Sequence, residues 1–197
     1  MQTGQANRAV DPRPARTRAA ILQAVESLVA AESAVSISAV VEAAGVTRST
    51  FYSQFADIDD LALALLTDEF HSIGIDDIAQ RQGAHPDERQ IARRAAERLV
   101  DHIDGRRLFY RAALEWRLTA RVHSTLATAF ADQVSASIAV MGDRVPPAQR
   151  DGFTARYIGG GAMAMITSWL QDENPIAAPE MAERLLSAMP EWLVGSA

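Results

Sequence analysis

The segment AAGVTRSTFYSQFADIDDL, Ala43 to Leu61, gathers the side chains best suited to recognition chemistry. Thr47, Arg48, Ser49, Thr50, Tyr52, Ser53 and Gln54 are hydrogen-bonding groups that, wound into a helix, share its outer face. Short polar side chains let a helix lie deep in a DNA major groove, where they and Arg reach base edges. Thr47 and Tyr52 suit phosphate oxygens, which fix position rather than sequence. Asp57, Asp59 and Asp60 follow as DIDD. Their ordinary role is to open a helix, since a carboxylate in a first turn interacts with the helix dipole by about 0.3–1 kcal/mol. A metal site is the weaker reading, because no His or spaced partner supports it.

Other chemistry finds little support. The chain has no Cys, which excludes disulfides, thiolate metal sites and cysteine nucleophiles. His71, His85, His102 and His123 never pair at metal-ligand spacing. No nucleophile-elbow pattern occurs. The glycines of Gly159–Ala162 lie mid-helix with no preceding strand, so they make no phosphate cradle. They are expected to serve close approach of another helix or room for a ligand. No catalytic residue, metal or cofactor is therefore expected.

The elements that must position these groups are helices. Ile21, Leu22, Val25, Leu28 and Val29 recur at helical spacing from about Pro14 to Ala31. Ser36 caps a short helix through Ala44, Gly45 breaks it, and Thr47 caps a second from Arg48 to about Phe55. Asp57 caps a longer helix carrying Leu61, Leu65, Leu66 and Phe70, with a loop expected from Gly74. Later apolar rows predict helices ending at Gly105, over Leu108–Trp116, over Val122–Met141, from about Pro147 to Gln171, and from about Pro179 to Val194. Pro190 is placed to kink or end the last. The count is nine helices and no strand, an all-α chain.

Two short helices joined at Gly45 make a helix-turn-helix, because Gly tolerates a left-handed turn without steric cost. Ile37, Val40, Val41, Val46 and Phe51 would lock the pair onto the first helix. At these residues the stretch SISAVVEAAGVTRSTFYSQFADIDDL resembles the DNA-binding segment of TetR-family transcriptional regulators. Ala44, Gly45, Val46, Thr47, Thr50, Phe51, Tyr52, Phe55 and Leu61 fall in that family's pattern, and TRAAILQAVESLV fits its first helix. Two departures stand out. The turn AAESAVS lacks the Gly and bulky apolar residue common there, so Val35 is expected to plug the gap. Ile58 stands where the family usually has a phosphate-contacting Lys.

Of 197 residues, 48% are hydrophobic, enough for a core, and the net charge is −6. Residues 1–20 nonetheless carry +3 and residues 1–55 carry +1, which leaves −7 beyond. A basic front on an acidic chain suggests two tasks. Residues 1–13 read as a flexible basic arm, either plainly solvated or, through Arg13, Arg16 and Arg18, laid against phosphates or in the minor groove. No signal peptide or membrane span is expected, and a cytoplasmic location follows.

The resemblance implies a helix-turn-helix domain over 14–56 and a helical ligand-binding and dimerisation domain over 57–197. The expected DNA contacts are Arg13, Arg16, Arg18, Ser36, Ser38, Thr47, Arg48, Ser49, Thr50, Tyr52, Ser53 and Gln54. In that family the last two helices pair subunits in a four-helix bundle. Ile158, Ala162, Met165, Ile166, Trp169, Leu185 and Met189 are the corresponding candidates. His102, Phe109, Tyr110, Trp116, Phe130, Tyr157 and Met163 are candidate contacts to an apolar or aromatic effector. The function implied is a homodimeric repressor that leaves its pseudo-palindromic operator on ligand binding. An activator of the same fold, or an all-helical small-molecule-binding protein or enzyme with an incidental helix-turn-helix, are the alternatives.

Overall fold

The computed structural model describes residues 13–115 and 120–195, and is all-helical. Ten α-helices and no strand occur among these residues. They are α1 (Arg13–Ala30), α2 (Ile37–Ala43), α3 (Arg48–Tyr52), α4 (Ile58–Arg81), α5 (Glu88–Asp104), α6 (Arg107–Glu115), α7 (Ala120–Met141), α8 (Gly152–Gln171), α9 (Ala178–Ser187) and α10 (Glu191–Val194). The chain divides into two compact units after Leu61, a point inside α4. No helix among the described residues is long and apolar enough to cross a membrane.

In the first unit α1 packs on α2, and α2 on α3. Ile21, Ala24 and Val25 of α1, Val40 of α2 and Phe51 of α3 are buried, as is Phe55. The Phe51 and Phe55 rings meet at 5.8 Å. Burying a Phe stabilises by about 1.5–3 kcal/mol, so these two rings matter in so small a module.

In the second unit α8 packs chiefly on α7, and α5 on α9 and α10. Gly159 sets the first contact. A Cβ there would lie 2.7 Å from the Ala127 carbonyl oxygen and 2.8 Å from the Ala131 nitrogen, so the helices meet backbone to backbone. Of the two purposes expected for the glycine run, Gly159 serves close helix approach.

Three expectations need correction. Gly74 starts no loop: α4 runs through it to Arg81. A single Gly costs a helix only about 1 kcal/mol, and here its bare Cα lets the Gln133 amide lie over the backbone and donate to the Gly74 carbonyl at 3.3 Å. The helix predicted from Pro147 starts at Gly152, because Pro147–Gln149 forms a 3₁₀ turn and Asp151 is the true cap, accepting from Thr154 N–H at 3.0 Å. The last predicted helix is two, since Pro190 restarts the chain as the cap of α10.

Candidate nucleic-acid interface and interior cavity

Local hydrogen bonds build the recognition segment. Ser36 Oγ caps α2 by accepting from Ala39 N–H at 3.2 Å. Gly45 turns the chain at φ +63. Thr47 Oγ1 caps α3, accepting from Thr50 N–H at 3.1 Å and sharing a 2.9 Å bond with the Thr50 hydroxyl. Ser53 Oγ donates to the Thr50 carbonyl at 2.7 Å, and Gln54 Nε2 donates to Ser53 Oγ at 3.5 Å. Phe51 turns inward while Arg48, Ser49, Tyr52 and Ser53 stay exposed. Tyr52 is braced edge-on by Phe51, ring centroids 5.6 Å apart. Arg48 Nη2 donates to Ser38 Oγ at 2.6 Å, which ties the start of α3 to α2.

Residues 32–65, from the turn before α2 into α4, match a family model described as bacterial regulatory proteins, tetR family. The chain carries a TetR-family DNA-binding domain. No curated protein matches the chain.

The turn that departs from the TetR pattern has a structural answer. In the turn that lacks the expected Gly, Glu32 takes φ +51. Glu32 N–H donates to the Val29 carbonyl and Ser33 N–H to the Leu28 carbonyl, both at 2.9 Å, the paired bonds of a Schellman ending. A left-handed residue other than Gly costs roughly 1–2 kcal/mol, which these bonds offset. Val35, expected to plug the turn, is half-buried. The DIDD segment is a helix start: Asp57 Oδ1 accepts from Asp60 N–H at 2.8 Å, and Asp60 Oδ2 accepts from Ala56 N–H at 3.0 Å. Asp59 takes no part in these two bonds, and its pKa is raised by burial and then by the Asp57 charge. No group of residues able to hold a metal ion occurs among those described.

Of the expected N-terminal DNA contacts, Arg13 and Arg16 are exposed, and Arg18 lies over the Phe55 ring at 4.8 Å. Residues 1–12 of the expected arm lie outside the described residues.

In the second unit a cavity of about 80 Å³ opens between α4, α5, α7, α9 and α10. Its walls include Phe70, Leu99, Phe130, Val134 and Leu185, and Phe70 meets Phe130 edge-on at 5.5 Å. The cavity also meets Asp77, Arg81 and Ser137, which are 7%, 3% and 3% exposed and are the buried polar residues among those described. Arg81 donates to both Asp77 oxygens, from Nε at 2.7 Å and Nη2 at 3.1 Å. Ser137 Oγ donates to Asp77 Oδ2 at 2.8 Å. Glu88 bridges Arg81 and Arg144. Reasoning from sequence missed this set. The signal was present, because Asp77 and Arg81 continue the stripe of Phe70 and Ile73 at helical spacing.

The expected effector contacts largely miss that cavity. Phe130 lines it. Phe109 and Met163 are buried outside it, and Trp116 lies outside the described residues. Tyr157 is 82% exposed, so the single chain does not place it in an interior site. His102 and Tyr110 do come together, His102 Nε2 lying 2.8 Å from the Tyr110 hydroxyl.

His102 is held neutral. Burial, then the Arg106 and Arg98 charges, lowers its pKa from 6.5 to about 4. Glu69 Oε2 lies 3.6 Å from Nδ1, but Arg98 Nε already donates to the other Glu69 oxygen at 2.6 Å, so that carboxylate does little to hold a proton on the ring. The folded state thus binds fewer protons than the unfolded chain between pH 4 and 6.5. Stability is complete above pH 6.5 and falls as pH drops through that window, by up to roughly 3 kcal/mol from this ring. Urea unfolding of His102→Gln is expected to show a shallower loss between pH 6.5 and 4. A slope equal to that of the parent chain would rule the ring out as the source.

The residues expected to pair subunits are mostly packed within the single chain. Ile158, Ala162, Ile166 and Trp169 of α8, and Leu185 of α9, are buried in the chain's own core. Trp169 is further covered by Arg107, whose guanidinium stacks at 3.9 Å, and donates from Nε1 to the Ile176 carbonyl at 2.8 Å. Ile166 and Trp169 therefore have little surface left for a partner. What α8 exposes is Phe153, 77% accessible, and Tyr157, with Gly161 beside them. These line an open groove together with five of the expected interface residues, Ile158, Ala162, Met165, Leu185 and Met189.

Proposed function

We propose that this DNA-binding transcriptional regulator is a homodimeric repressor released from a pseudo-palindromic operator by a small effector. The observation that carries the DNA reading is the division of α3 into a buried Phe51 face and an exposed Arg48, Ser49 and Tyr52 face. One such face covers a half-site, and two-fold pairing sets two of them about one DNA turn apart. The exposed Phe153 and Tyr157 supply an apolar surface for that pairing, in one groove with Ile158, Ala162, Met165, Leu185 and Met189. Effector release is supported by the cavity and by α4. That helix lines the cavity with Phe70, Asp77 and Arg81 and begins at the cap three residues before Asp60. Release requires the effector to bind the non-binding spacing more tightly than the other.

Gel shift against the chain's own upstream region tests the reading. Retention is expected to be specific and to weaken with salt, as phosphate contacts dictate. Arg48→Ala is expected to cost about 1–3 kcal/mol and relax preference at one base pair of each half-site. Equal retention of random duplex would sink the specific-regulator reading. Absence of any duplex retention would leave an all-helical small-molecule binder.

A further inference from the structure

We infer that the cavity beneath α9 and α10 selects a small uncharged molecule with an apolar body and one hydrogen-bond donor, such as a phenol or alcohol. The inference rests on reading the second unit as effector-binding, and it names the effector's chemistry.

Three observations converge. The walls are hydrocarbon and aromatic, and a volume of about 80 Å³ sets the scale at a single ring or a short branched chain. Every buried polar residue among those described borders this cavity. Buried ionic groups are often no more stabilising than apolar residues of the same shape, so their gathering at one void calls for a role. The third is their hydrogen-bond balance. Asp77, Arg81, Glu88 and Arg144 alternate in sign and sum to zero, which leaves no charge for an ionic ligand to neutralise. An anion would face Asp77 and a cation would compete with Arg81.

The side-chain donors of Arg81 and Gln133 point at protein acceptors. Arg81 points at Asp77, Glu88 and the Met141 sulfur, and Gln133 Nε2 at the Gly74 carbonyl. The single Ser137 proton goes to Asp77 Oδ2 or to the Gln133 carbonyl. Among the described residues no donor reaches Ser137 Oγ, and Ser137 lines the cavity. A hydroxyl has two lone pairs, so Ser137 can still accept. The cavity therefore presents an open acceptor at Ser137 Oγ, and a ligand that brings a donor is favoured over its isostere without one.

Calorimetric titration of the full chain at neutral pH with phenol, toluene, anisole and benzoate tests this. Phenol is expected to bind about tenfold more tightly than toluene or anisole, the scale of one buried hydrogen bond, and benzoate not at all. Ser137→Ala is expected to bring phenol to the level of toluene. Ala96→Leu, which fills the void from α5, is expected to abolish binding of both while duplex retention persists. Equal affinity for phenol and anisole, binding of benzoate, no binding of any probe, or unchanged binding by Ala96→Leu would each overturn the inference. Duplex retention measured on the same samples separates the readings: DNA binding without phenol binding defeats this inference alone, and phenol binding without DNA binding defeats the regulator reading alone.

Discussion

Replacing Arg81 with Ala is expected to lower the free energy of unfolding by about 3–5 kcal/mol, the cost of leaving a buried charge unpaired. The Asp77 carboxylate would lose two donors while remaining shut off from water, with Ser137 as its remaining donor. Glu88 would keep Arg144 and suffer less. Most domains hold only 5–15 kcal/mol in total, so a large part of the fold's margin depends on this residue. The Asp77→Leu, Arg81→Met double variant removes both charges and is expected to recover most of the loss. Arg184→Ala, which breaks an exposed pair with Glu180 on α9, serves as control and is expected to cost at most about 0.5 kcal/mol. Urea unfolding reads all three. A cost below 1 kcal/mol for Arg81→Ala, or no recovery in the double variant, would mean the network is hydrated rather than buried.

The second large effect concerns Tyr157. Tyr157→Glu is expected to leave the single chain folded, since this side chain is solvent-facing, and to convert the proposed dimer to monomer. A carboxylate at the centre of an apolar interface must be desolvated without a partner. Operator affinity is then expected to fall by roughly 10²–10⁴-fold, the gain that linking two half-site modules provides. Sedimentation and gel shift on the same sample separate the steps. A variant that sediments as a dimer with undiminished operator binding would place the pairing surface elsewhere.

Much of the first unit was legible because its signals are local. Ser36, Thr47 and Asp57 cap helices through their own side chains, and Gly45 adopts the φ that only Gly takes freely. What failed was whatever depended on a distant partner. Gly74 reads as a break until Gln133, 59 residues away in sequence, is seen lying on it. Two adjacent apolar rows on α8 are equally good by periodicity, and packing on α7 decides that Ile158 faces in and Tyr157 out. Charges spaced four apart, such as Asp77 and Arg81, are read as surface pairs by default. Nothing local announces that α7 brings Ser137 to meet them.

The contact at Gly159 bears on how mechanical stress distributes in the second unit. Where α7 and α8 touch through backbone atoms, no side-chain rotamer can yield, so their separation is stiff in compression. The chain between α9 and α10 is built the other way, with a helix that stops at Ser187 and a proline restart at Pro190. Compliance is thereby concentrated on the α9–α10 side of the cavity. An occupant too large for the void would be accommodated by displacing those two short helices, while α7 and α8 behave as one strut.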